Sequence, residues 1–103
     1  MSRQITHNFA VVLSDLAQQD LSDILQYTLQ TWGENKMDAY ADKLEQGILI
    51  LASHPAIGRI RDDLFDGCRL HLIGSHLVFY EIGEHEIRIA RILHERVDVG
   101  GYL

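Results

Sequence analysis

The sequence predicts an α+β fold, ordered β-α-α-β-β-β, in which an antiparallel helical hairpin packs on a mainly antiparallel, curved sheet. Three observations predict it. Two apolar stripes recur at three- and four-residue intervals and are joined by a short link. Three apolar-rich segments follow, separated by turn signals of hairpin length. A short apolar run precedes the first stripe.

That run, Phe9-Ala10-Val11-Val12-Leu13, reads as the first strand. Ser14 then offers an N-cap oxygen, and Asp15 places negative charge in the first helical turn. Ala17, Leu21, Ile24, Leu25, Thr28, Leu29 and Trp32 form the apolar stripe of the first helix, and Gly33 suits its end. Met37, Tyr40, Ala41, Leu44, Ile48 and Leu51 form the second stripe. Pro55 stops that helix, and His54 before it is biased toward an extended conformation. The link around Gly33-Glu34-Asn35 is so short that the helices must run antiparallel. Each helix has one apolar face, so the hairpin must lie on another layer.

The sheet supplies that layer. Its strands are Cys68 to Ile73, His76 to Ile82 and Glu86 to His94, with turns at Gly74-Ser75 and Gly83-Glu84-His85. In the last strand Ile87, Ile89 and Leu93 share one parity, and Arg88, Ala90, Ile92 and His94 the other. Arg91 falls on the parity of Ile89. This requires either a bulge that re-aims it or a carboxylate partner near the core. Pro55 to Gly67, with Gly58, Asp62, Asp63 and Asp66, is the longest expected loop. The chain reads as one domain over 1–103, with an N-terminal extension at 1–8 and a C-terminal tail at 95–103.

Composition narrows the function. With 103 residues, 47% hydrophobic and 23% charged, the chain can form one ordinary core and is not disordered. A formal net charge of −6 argues against binding nucleic acid through bulk positive charge. The single cysteine, Cys68, excludes an internal disulfide and reads as a small buried hydrophobe. The six histidines include no His-x-His pair and no His-x-x-x-His pair on an expected helix, so no metal and no cofactor is expected. No run reaches the ~18–20 apolar residues of a membrane span, and the N-terminus lacks a signal-peptide core. A cytoplasmic protein is expected.

The charge is unevenly placed. Residues 1–54 hold three bases against seven acids, while residues 55–103 hold six bases against eight acids. All six bases of the second half are arginine: Arg59, Arg61, Arg69, Arg88, Arg91 and Arg96. They read either as solubilisers and ion-pair partners on strand faces or as a contact surface.

Several motifs in this order resemble the ParE toxins of bacterial type II toxin–antitoxin systems, within the wider RelE/ParE superfamily. Leu13-Ser14-x-x-Ala17-x-x-Asp20-Leu21-x-x-Ile24 resembles the start of the family's first helix, and Tyr27 with Trp32-Gly33 its end. Tyr40-x-x-x-Leu44 resembles the second helix, and Pro55-x-x-Gly58-Arg59 the loop after it. His76-Leu77-Val78-Phe79-Tyr80 resembles the central strand, and Arg91-Ile92-Leu93-His94-x-x-x-Asp98 the last strand and its exit. The likeness covers about residues 9–103.

The resemblance implies a toxin that traps DNA gyrase with cleaved DNA and blocks replication. It implies neutralisation by a ParD-type antitoxin that wraps the toxin in a hetero-oligomer, with nucleic acid reached only through antitoxin or gyrase. It points to the loop and C-terminal region as the target surface: Arg59, Arg61, Arg69, Arg91, His94, Arg96 and Asp98. Arginine there would grip carboxylate or phosphate as a bidentate donor. His94 and Asp98 could instead hold the tail on the sheet with Arg91. Antitoxin binding is expected on Leu16, Leu25, Leu29, Ile48, Leu49 and Ile50, because Ile48-Leu49-Ile50-Leu51 is apolar all round one turn.

RelE-type relatives instead cut mRNA on the ribosome. Arg69 and His94 fall where that branch carries functional residues, but Glu95 follows His94 where a tyrosine would stand, and no lysine follows Lys43. A binding inhibitor is therefore expected rather than an enzyme. A ribosome-dependent endonuclease or a non-toxic antitoxin-binding module are the alternatives.

Overall fold

The computed structural model describes residues 9–103. The expected 1–8 extension lies outside the described residues. Strand β1 (Ala10–Leu13) leads into helix α1 (Asp15–Trp32) and helix α2 (Glu34–Ser53). A 3-10 turn (Pro55–Ile57) and strand β2 (Arg59–Ile60) come next. Strands β3 (Arg69–Ile73), β4 (His76–Ile82) and β5 (Glu86–His94) complete the sheet, and a second 3-10 turn (Val99–Gly101) closes the chain. No helix of the described residues is long and apolar enough to cross a membrane.

Local chemistry explains the helix limits. The Ser14 hydroxyl accepts from the Ala17 amide at 2.9 Å and donates to the Ala90 carbonyl at 2.7 Å. It thus caps α1 and ties its start to β5. The link between the helices is Gly33 alone, at φ +92°. That backbone region strains any residue with a Cβ, and it lets α2 begin one residue after α1 ends.

The strand order is β1-β5-β4-β3-β2. β1 pairs parallel to β5, and the remaining neighbours are antiparallel. The expected loop 55–67 therefore contributes a strand: Arg59 and Ile60 pair with Leu70 and Arg69. A register shift opposite Phe79/Tyr80 leaves Ala90 without a partner in β4. This bulge puts Ile87, Ile89 and Ile92 on one side of the sheet and Leu93 on the other, which strict alternation could not do.

Each face of the sheet carries its own apolar cluster. On the helix side, Ala17, Leu44 and Leu51 pack with Ile73, Val78, Tyr80, Ile87, Ile89 and Ile92. On the opposite side, Cys68, Leu70, Phe79 and Leu93 are covered by Leu64, Phe65, Leu77, Val97 and Val99. The sequence predicts a covering layer on one face only. The second cover is made from the 61–67 loop and the C-terminal tail.

Candidate functional site

The expected target residues fall into two groups. The first lies at the 55–67 loop. Tyr80 donates its hydroxyl to the Pro55 carbonyl at 2.6 Å, and it accepts the Gly58 amide at 2.9 Å. Burial pushes the Tyr80 phenol above its ordinary pKa. Any side chain at Gly58 would collide with the Tyr80 ring. Arg69 donates through Nη1 to the carbonyls of Ala56 at 3.1 Å and Gly58 at 2.9 Å. Arg61 makes a bidentate pair with Asp63, both contacts at 2.9 Å. Arg59 on β2 is exposed.

The second group lies at the end of β5. There β1 has ended, its last partner in β5 being Ile89. Asp20 of α1 fills the gap. Its carboxylate accepts from Arg91 Nε and Nη2, both at 2.8 Å, and from the Ile92 amide at 3.0 Å. The pair is nearly buried, with side-chain exposures of 13% and 12%. Donating its hydrogen bonds to Asp20 holds the Arg91 guanidinium more basic than usual, against the opposing effect of burial. Both expectations for Arg91 are thus met, a bulge beside it and a carboxylate partner.

His94 is exposed, and its Nδ1 accepts the Arg96 amide at 3.1 Å, which leaves the proton of the neutral ring on Nε2. Asp98 accepts the Gly100 amide at 3.2 Å and starts the last 3-10 turn. The tail is therefore a folded turn seated on the second cluster rather than a frayed end. Arg96 is exposed beside it.

Between α1, the start of α2, β5 and the tail runs a groove of about 870 Å³. Of the seven expected target residues only Arg91 and His94 line it. Tyr27 and Trp32, 65% and 66% exposed, line its helical side. At one end Tyr40 accepts the Ser75 amide at 3.0 Å and shares a hydrogen bond with His76 Nδ1. The His76 and His94 rings meet edge to face at 5.4 Å. Burial, then the neighbouring His94, lowers the His76 pKa, while Glu95 opposes the shift.

Asp20, Tyr40, His76 and Tyr102 are site residues that sequence reasoning does not single out, and Trp32, a member of the expected core stripe, faces the groove instead. The signal for Asp20 was the lone carboxylate in the first-helix motif together with an arginine on an apolar parity. Cys68 is fully buried, and burial pushes its thiol pKa up to about 11, which suits a core residue and not a nucleophile. Among the described residues no three His, Cys, Asp or Glu side chains converge as a metal site.

Of the expected antitoxin residues, Leu16, Leu29, Leu49 and Ile50 are exposed. Leu25 and Ile48 are half-buried, and Ile48 packs on the helix-side core.

Structures solved from toxin–antitoxin systems share this fold. A structure of the chromosomal ParDE system of P. aeruginosa superposes with a TM-score of 0.72 at 19% identity, covering 85% of this chain and 97% of that one. The RelBE2 toxin–antitoxin complex of Mycobacterium tuberculosis gives a TM-score of 0.62 at 21% identity, covering 84% and 98%. Residues 11–99 match the family described as ParE toxin of type II toxin–antitoxin system, parDE. Toxin ParE1 of Caulobacter vibrioides is 37% identical over 91 residues, covering 88% of this chain and 94% of that protein. The chain belongs to the ParE toxin family.

Proposed function

We propose that this toxin inhibits DNA gyrase, blocks replication and arrests growth in the cytoplasm, and that a ParD-type antitoxin neutralises it by direct binding in a hetero-oligomer. Family membership over residues 11–99 carries the reading. The geometry supports a surface that binds rather than cuts. Arg69, where a phosphate-gripping arginine would be needed, is engaged by two loop carbonyls. Glu95 beside His94 would repel a substrate phosphate. Of the proposed target residues, Arg59, His94 and Arg96 meet the target directly. Arg61, Arg69, Arg91 and Asp98 shape the loop and tail that present them.

The antitoxin covers the exposed aliphatics of the hairpin, Leu16, Leu29, Leu49 and Ile50, with Leu25 and Ile48 beneath them. An amphipathic helix laid along this acidic hairpin would remove that surface from water.

Purified toxin in a gyrase supercoiling assay should inhibit supercoiling and accumulate cleaved DNA. Unimpaired gyrase at stoichiometric excess of toxin would end the proposal. Primer extension on translated mRNA that shows cuts within codons would support the endonuclease instead.

A further inference from the structure

The C-terminal turn is held together by its own hydrogen bonds. The Gly101 amide donates to the Asp98 carbonyl at 3.2 Å, and the Tyr102 and Leu103 amides donate to the Val99 carbonyl at 2.9 and 3.1 Å. These bonds set the shape of the turn and not its place on the sheet. Val97 and Val99 anchor its beginning in the second cluster. Gly100 and Gly101 then intervene, and two adjacent glycines transmit little stiffness to Tyr102 and Leu103.

Tyr102 nevertheless has a defined seat. Its ring lies over the Arg91 guanidinium, 5.3 Å from centroid to Cζ, within the range of a cation–π contact. Arg91 Nη1 also points at the Tyr102 carbonyl, at 3.5 Å. The guanidinium is free to serve in this way because Asp20 engages its other edge, through Nε and Nη2. The third hydrogen bond on Asp20, from the Ile92 amide, stops the carboxylate from rotating. Asp20 therefore sets the plane on which Tyr102 rests.

We infer that Asp20 is a positioning residue for the C-terminal tail: through Arg91 it seats Tyr102 and so builds one wall of the groove that also holds Tyr27, Trp32 and His94. A lysine at 91 could pair with Asp20 but would offer no planar face. Only the tail's use against a target rests on the toxin reading above.

The test is amide hydrogen exchange on the full chain, comparing Asp20→Asn, Arg91→Lys, Tyr102→Ala and Tyr102→Phe. Losing a contact of this kind should speed exchange at Gly101, Tyr102 and Leu103 by about two- to fivefold. Asp20→Asn, Arg91→Lys and Tyr102→Ala should each do so while the β4 amides stay protected. Tyr102→Phe should match the wild type. The Asp20→Asn/Tyr102→Ala double variant should not exceed the larger single effect. Arg91→Lys serves if Asp20→Asn does not fold, since it keeps a charge beside Asp20.

Unchanged tail exchange in Arg91→Lys, or additive effects in the double variant, would overturn the inference. The same variants in the gyrase assay read the tail's use separately. Lost inhibition in Tyr102→Ala, retained in Tyr102→Phe, is the expected result. Full inhibition by Tyr102→Ala would remove the tail from the target surface and leave the toxin reading standing. A wild type that leaves gyrase untouched would overturn the toxin reading, with the exchange result unaffected.

Discussion

The Tyr80 hydroxyl takes the Gly58 amide at 2.9 Å and gives its own proton to Pro55, so one side chain of the central sheet closes the loop that comes after α2. Tyr80→Phe would leave the Gly58 N–H and the Pro55 carbonyl without this partner while keeping the ring in the core. Stranding such groups costs about 1–3 kcal/mol. The urea midpoint should fall accordingly, and exchange at residues 56–58 should rise. A variant as stable as the wild type would show that water replaces the hydroxyl.

Arg91→Ala should be more damaging. It removes two of the three hydrogen bonds on a carboxylate that is nearly buried. Breaking a buried pair by deleting one partner costs about 3–5 kcal/mol. Equilibrium unfolding monitored by circular dichroism measures this directly. An unchanged midpoint would mean that Asp20 re-solvates freely and that the pair only decorates the surface.

These two side chains mark how far the sequence could be read. The helices were legible because their apolar stripes have a simple period, and the β-hairpins because Gly74-Ser75 and Gly83-Glu84-His85 interrupt apolar runs. The Arg91 parity conflict was visible too, since a charge on the Ile89 side demands an explanation. Its solution was not. The bulge at Ala90 inserts one residue without any local signal, and Asp20 lies 71 positions away on an element whose placement depends on the whole sheet. The cover of the second face was likewise hidden. Leu64, Phe65, Val97 and Val99 have no regular period, so only the folded register shows that they meet Phe79 and Leu93.

Acid should weaken the fold through His76. Burial lowers its pKa below the ordinary 6.5, so the unfolded chain binds a proton more readily than the folded one. The neutral ring's contribution is therefore present above 6.5 and is lost as pH falls from there through the lower folded value. Protonation would also fix a hydrogen on Nδ1, so that Tyr40 could only accept there. Unfolding free energies measured between about pH 7 and pH 5 should decline, and His76→Gln should flatten that decline. An equal slope in both proteins would assign it to other groups.

Gly47→Ala should destabilise the chain although alanine favours helices. A Cβ at residue 47 would stand 2.6 to 2.8 Å from Cδ1, Cγ2 and Cγ1 of Ile73. A β-branched side chain packed in the core cannot turn all three atoms aside. The overlap costs about 1–3 kcal/mol, which exceeds the ~1 kcal/mol of helix propensity gained. A thermal midpoint above the wild type would show that α2 can shift off β3.

Leu49 and Ile50 separate fold from partner binding most cleanly. They are 48% and 50% exposed, whereas their neighbours Ile48 and Leu51 pack on the helix-side core. A carboxylate at either exposed position meets water in the free toxin, so Leu49→Glu and Ile50→Glu should change stability by no more than about 0.5 kcal/mol. In the complex the same carboxylate would lie against an apolar face of the antitoxin, where truncating or charging an anchor costs about 2 kcal/mol or more. Antitoxin affinity measured by titration calorimetry should therefore fall by roughly thirtyfold, with the unfolding midpoint in place. Ile48→Glu should do the opposite first, lowering the midpoint before any binding is measured, because its carboxylate would enter the core. Wild-type affinity in both exposed variants would move the antitoxin off this turn of α2 and onto another face of the toxin.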